Sequence, residues 1–181
     1  MNLNLSNIEV LTYLTSEYGL KKEECNCVEL GVRSGHYSEA ILNILKPANL
    51  YLVDAWKHLD DYIDSSNVSN ERHEEKYQEV VNKFKNNLNV HIMRMLTTEA
   101  VSQFEDNYFD FIYIDANHAY KYVKKDIEDW YPKLKTNGIM SGDDYHLAWK
   151  GVIQAVDEFA NKNLYQVHIA HKNNTWFFQK R

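Results

Sequence analysis

The chain has little cysteine, no excess of basic residues and no long apolar run, and each shortage excludes a class of protein. Its two cysteines, Cys25 and Cys27, cannot supply a four-thiolate zinc site, and a spacing of two is poor for a mutual disulfide. They read as reduced thiols. A formal net charge of −6 argues against tight binding to nucleic acid or to an anionic membrane, since both need a basic face. The Asn-rich start carries no apolar signal region and no segment reaches membrane-spanning length, so a cytoplasmic location is expected. The sequons Asn67-Val68-Ser69 and Asn173-Asn174-Thr175 are then read as chance matches. His36, His58, His73, His91, His168 and His171 show no clustering suggestive of zinc, and repeats, low-complexity tracts and interdomain linkers are lacking too. A chain of 181 residues of this kind is expected to be one domain, burying roughly 70% of its unfolded surface without staples.

What is there is alternation. Ser6 is placed to cap a first helix with Ile8, Leu11, Leu14 and Tyr18 at helical spacing and Gly19 as its stop, so residues 1–24 read as a helix and a link. Short apolar runs follow at Cys27–Leu30, Leu50–Val53, Val90–Met93, Phe109–Ile114 and Ile139–Ser141. Between them lie amphipathic segments at His36–Lys46, Glu71–Leu88, Thr98–Phe104, Ala119–Leu134 and Trp149–Asn161. Tyr165–Ala170 and Thr175–Gln179, joined by a Lys-Asn-Asn turn, read as a closing hairpin with an antiparallel strand. The pattern predicts an α/β fold: a Rossmann-like, doubly wound, mainly parallel seven-stranded sheet ending in an antiparallel hairpin.

Ligands of such sheets sit beyond the carboxyl ends of the strands. Residues 28–35, Val-Glu-Leu-Gly-Val-Arg-Ser-Gly, form a strand feeding a tight turn and a helix, where glycines permit close backbone approach. Asp54, Asp115 and Asp143-Asp144 end three further strands, so acids distant in sequence are expected to line one cleft; helix capping is the other job for Asp at such junctions. The polar stretch 57–70, with Asp60, Asp61 and Asp64, reads either as a substrate lid or as a solvated insertion.

These residues resemble the class I S-adenosylmethionine-dependent methyltransferases from about Cys27 to Arg181. The resemblance implies that the turn from Glu29 through Gly31 to Gly35 lies against the methionine half of S-adenosylmethionine. It implies that Asp54 takes both ribose hydroxyls, and that Ala55, Trp56, Leu96 and Thr97 contact adenine. Arg33 stands where many members have a middle glycine. Asp54 alone does not separate this cofactor from NAD, because a carboxylate accepts from any vicinal diol.

Ile114-Asp115-Ala116-Asn117-His118-Ala119-Tyr120 and Asn137-Gly138-Ile139-Met140-Ser141-Gly142-Asp143-Asp144 are similar to motifs of the cation-dependent O-methyltransferases and their small sugar-modifying relatives. There the matching positions, Asp115, Asp143 and Asp144, hold Mg²⁺ or a similar ion, and hard cations do favour such oxygen ligands. His118 is the candidate general base, since an unperturbed imidazole is largely neutral at physiological pH; capping or a bond to Asp115 is its structural alternative. Trp149 reads as a ring for stacking or as packing at a helix start.

The function expected is cation-assisted methyl transfer to a hydroxyl of a small diol, a sugar or a catechol. Metal-free N- or C-methylation is one alternative, and a nucleotide-binding module without methyl transfer is another. The expected partner is a small-molecule acceptor, with no nucleic acid or membrane and homodimerisation left open.

Overall fold

Successive side chains of the central strands enter two separate cores, and this alternation builds the molecule. In β2 (Asn26–Leu30), Cys27 joins one core while Val28 and Leu30 join the other. In β5 (Phe109–Ile114), Phe111 and Tyr113 go one way and Ile112 and Ile114 the other. A sheet apolar on both faces must be covered on both, and helices do so here. The structure is a computed structural model and describes residues 2–181.

The remaining strands are β1 (Asn2–Leu3), β3 (Asn49–Asp54), β4 (Val90–Arg94), β6 (Leu134–Gly142), β7 (His168–Ala170) and β8 (Thr175–Gln179), in the order β1-β7-β8-β6-β5-β2-β3-β4. Strands β4 to β6 of that order pair in parallel, whereas β8 runs antiparallel to both β6 and β7. The expected seven strands and closing hairpin are therefore present. The addition is β1, which pairs with β7 at the sheet edge and is too short for any sequence periodicity to reveal.

Helices α1 (Asn7–Glu17), α2 (His36–Leu45) and α3 (Asn70–Phe84) cover one face. The short α4 (Thr97–Ala100), α5 (Tyr120–Trp130) and α6 (Lys150–Asn163) cover the other. Ser6 does cap α1, in a reciprocal box with Glu9. Fully burying a core residue such as Leu11 or Ile127 contributes about 1.5–3 kcal/mol. No helix among the described residues is long and apolar enough to cross a membrane. Cys25 and Cys27 are buried free thiols.

Four boundaries differ from the periodicity. Val10 rather than Ile8 completes the buried stripe of α1, and Ile8 is exposed. Helix α3 stops at Phe84, leaving Leu88 in solvent, because the chain must turn back into β4. Pro132 ends α5 in a single 3₁₀ turn, and Leu134 already belongs to β6, whose register with β5 shifts around Asn137-Gly138. Tyr165 lies ahead of β7, not in it.

Candidate active site

Beyond Leu30 the backbone of Gly31 takes φ +89°, and a Cβ there would lie 2.0 Å from the carbonyl oxygen of Asp115. Only glycine fits, and the fit draws the tip of β5 against the turn: the Asp115 N–H donates to Leu30 O at 2.8 Å. Arg33 also has positive φ, 54°, a left-handed conformation that glycine adopts more readily than arginine. Asp54 ties this turn to the end of β3. Its Oδ2 accepts from the N–H groups of Val32 (3.0 Å) and Arg33 (2.9 Å), and its Oδ1 accepts from Trp56 N–H (2.7 Å). A carboxylate offers about four lone-pair sites, so in this conformation one is left for a ribose hydroxyl, where the resemblance implied two.

Along these tips runs a cavity of about 500 Å³. Glu29, Gly31, Asp54, Ala55, Leu96, Thr97, Asp115 and His118 line it. Trp56 and Gly35 are placed otherwise than the resemblance implies. The Trp56 side chain is buried against Tyr77 and its indole N–H donates to Arg33 O (2.8 Å), so its ring braces the turn and is not free to meet adenine. Gly35 lies against Phe84 of α3, outside the cavity wall, at a left-handed helix start. Glu29 is buried and accepts the Ser38 hydroxyl; burial pushes its carboxyl well above the ordinary range, only partly offset by Ser38.

The segment 57–69 roofs this cavity, with Tyr62, Asp64, Ser66 and Asn67 in the lining. Asn67 fastens it: the side chain accepts from Leu59 N–H (2.9 Å) and donates to the carbonyls of Leu59 (2.8 Å) and Tyr62 (2.5 Å). Tyr62 and Asp64 hang from this roof onto His118. The Tyr62 hydroxyl is 3.1 Å and an Asp64 oxygen 3.6 Å from His118 Nδ1. On the other side, His118 Nε2 is 3.3 Å from Asp115 and 3.0 Å from Asp144. Trp149 packs on the imidazole, with ring centroids 4.6 Å apart.

Close approach of α6 makes this possible, since a Cβ on Gly151 would lie 2.8 Å from the His118 carbonyl oxygen. His146 Nδ1 accepts from Ala148 N–H, so its Nε2–H donates to Asp144 at 3.2 Å, and Lys150 is exposed.

Ligating atoms of Asp115, His118 and Asp144 all lie within 4.8 Å of one another. Asp143, the remaining acid of the expected trio, lies outside this group. It is turned to the Thr175 hydroxyl (3.3 Å), while Asp144, at φ +63°, swings toward His118. Adjacent residues leaving a strand point to opposite sides, so the pair divides between two neighbours. Burial pushes the Asp143 carboxyl up to about 7, with Asp115 adding to it.

Burial also raises Asp115, against the pull of His118. For His118 burial opposes the charge, but Asp115, Asp144 and Asp64 outweigh it and hold the imidazole above its ordinary pKa. The three carboxylates thus shift the ring toward its imidazolium form relative to a free imidazole. Tyr62 and Asp126 line the cavity and are missing from the sequence reading, which named Asp64 only as one of the acids of 57–70. Asp126 had a visible signal, being an acid on the apolar stripe of Val123, Ile127 and Trp130.

A family model described as a methyltransferase domain matches residues 28–145, from the first strand of the cleft through Asp143-Asp144. The chain belongs to the methyltransferase-domain family. It is similar in structure to the O-methyltransferase NovP, with a TM-score of 0.71 and 15% identity over 96% of this chain and 78% of that one. A similar likeness holds for the calicheamicin methyltransferase CalS11, with a TM-score of 0.69 and 12% identity over 95% and 76%. Spermidine synthase from Thermotoga maritima shares the fold too, with a TM-score of 0.62 and 14% identity over 96% and 59%. In sequence, 49 residues are 37% identical to the uncharacterized protein y4gI of Sinorhizobium fredii (strain NBRC 101917 / NGR234), which is 27% of this chain and 5% of that protein. The fold is that of the class I, S-adenosylmethionine-dependent methyltransferases, and S-adenosylmethionine use follows from the family.

Proposed function

We propose that this methyltransferase transfers the methyl group of S-adenosylmethionine to a hydroxyl of a small diol, a sugar or a catechol, with the help of a divalent cation. The observation that carries this reading is the convergence of Asp115, His118 and Asp144 beside the roofed cavity. Their donor set fits a cation: Asp115, Asp144 and Asp64 crowd one imidazole, an excess of negative charge that a divalent ion offsets. Carboxylate oxygens with one imidazole nitrogen suit Mn²⁺ as well as Mg²⁺. Asp115, His118 and Asp144 would hold the ion, whose chemistry there is to lower the pKa of an acceptor hydroxyl.

S-adenosylmethionine supplies an electrophilic methyl on a sulfonium sulfur. The chain binds and orients it: the Gly31 turn lets the backbone approach, Asp54 offers its remaining lone pair to the ribose, and Ala55, Leu96 and Thr97 flank the base. The roof segment excludes water and brings Tyr62 to the acceptor side, so much of the rate comes from holding two reactants in line. A second reading is favoured by one feature, the two carboxylates at His118 Nε2. In it that nitrogen takes the acceptor proton with no cation, and Asp115 and Asp144 stabilise the resulting imidazolium.

Turnover of a panel of small diols, followed as S-adenosylhomocysteine release, separates the two. The cation reading expects loss of turnover in excess chelator, recovery with Mg²⁺ or Mn²⁺, and an Asp144→Ala variant that loses this response yet keeps cofactor affinity. Full turnover in chelator, with a His118→Ala variant about 10²–10⁴-fold slower, would replace it with base catalysis by His118.

A further inference from the structure

Among the side chains lining the cavity, Tyr37, His73 and Asn117 each hold a buried polar atom with no hydrogen-bond partner among the described residues: the Tyr37 hydroxyl, His73 Nε2 and Asn117 Nδ2. Tyr37 on α2 lies by Glu29 and His73 on α3 lies by Asp54, which puts both on the cofactor side. Asn117 stands apart from them. It sits between Asp115 and His118, where the chain leaves β5 for α5.

The Asn117 amide has one orientation. Its Oδ1 accepts from the Ala119 N–H at 3.0 Å, and a flipped amide would set donor against donor there. Nδ2 is thereby fixed as the free end. The roof closes over it: the Tyr62 hydroxyl lies 3.5 Å from the Ala116 carbonyl oxygen and 3.1 Å from His118 Nδ1, on the residues to either side of Asn117. A buried N–H group left without a partner is destabilising, and a ligand that brings a lone pair removes that penalty.

Resting on the acceptor class proposed above, we infer that Asn117 holds a second oxygen of the acceptor, adjacent to the one that is methylated. It thereby selects compounds with neighbouring oxygens over their monohydroxy counterparts. The NH₂ group is a donor only, so it pairs with a hydroxyl, ether or carbonyl oxygen, whereas a bare C–H position leaves it unpaired. Asn117 is not among the ligating groups of Asp115, His118 and Asp144, so the selection operates with or without a cation.

Turnover of two matched pairs tests this: catechol with phenol, and cis-cyclohexane-1,2-diol with cyclohexanol, each with Mg²⁺ and followed as S-adenosylhomocysteine release. In the pair it uses, the unmodified protein is expected to favour the diol about 10-fold or more in kcat/KM. In Asn117→Ala that preference should fall about fivefold or more, while calorimetric affinity for S-adenosylhomocysteine stays within about twofold of the parent. Asn117→Ser, whose hydroxyl can still accept from the Ala119 N–H, gives the same comparison if the alanine variant does not fold. A preference kept in the variants would overturn the role of Asn117, as would equal kcat/KM values for the unmodified protein. A 10-fold loss of S-adenosylhomocysteine affinity in the variants would assign Nδ2 to the cofactor and overturn it too. An unmodified protein that binds S-adenosylhomocysteine but turns over neither diol would instead remove the diol reading, and this inference with it.

Discussion

At the scale of the residue, Asp54 and Gly31 carry the most consequence. Asp54 spends three of its acceptor sites on the turn and the start of the roof, so it is as much a brace as a ligand-binding group. Asp54→Ala is expected to weaken S-adenosylhomocysteine by on the order of 10–100-fold in calorimetry and also to lower the melting temperature, because three N–H groups lose a charged acceptor. Gly31→Ala should be harsher. Its methyl has no room against the Asp115 carbonyl, and relief requires β2 and β5 to part at the cleft. Insoluble protein, or a melting temperature lower by 10 °C or more on the order of several kcal/mol, is the expected result in thermal denaturation. A variant as stable as the parent would show that the tips separate cheaply.

At the scale of the element, the segment 57–69 is the most interesting. It has no helix or strand bonds of its own to hold it, yet it roofs the cavity and delivers Tyr62 and Asp64 to His118. Asn67 is its main clasp, and His58 adds a bond from its backbone N–H to Asn70 (2.8 Å). Asn67→Ala leaves two carbonyls and one N–H without those partners, so the roof should open more often while the sheet stays intact. Limited proteolysis is expected to cut the variant within 57–69 several-fold faster than the parent, with cofactor binding protecting the parent more. Equal cutting rates would mean that Tyr62 and Asp64, not Asn67, hold the roof down.

At the scale of the whole molecule, buried acids set the response to pH. The Asp126 carboxyl titrates near 7 when folded and near 4 in an unfolded chain. Between those values the folded state holds a proton that the unfolded state has released, so this group lowers stability as pH rises from about 4 to about 7. Asp126→Asn removes that dependence and keeps a partner for Thr97. The melting temperature of the variant minus that of the parent should therefore climb over this interval and level off above it. A difference that is flat or falls with pH would mean that Asp126 is ionised in the folded protein.

The order of strands and helices, the closing hairpin and the gathering of Gly31, Asp54, Asp115 and Asp144 at one end of the sheet were legible in the sequence. The reason is that they follow from local rules: period-two and period-3.6 burial, turn residues, and the requirement that parallel strands share one carboxyl edge. What the sequence left undecided was decided by contacts between segments far apart in the chain. The lid or insertion role of 57–70, which the sequence left open, and the placements of Asp143, Asp144 and Trp56, which it could not orient, depend on neighbours more than ten residues away. Backbone strain at Asp144, the close approach at Gly151 and the solvation of a crowded imidazole are properties of the packed molecule, and no single segment contains them.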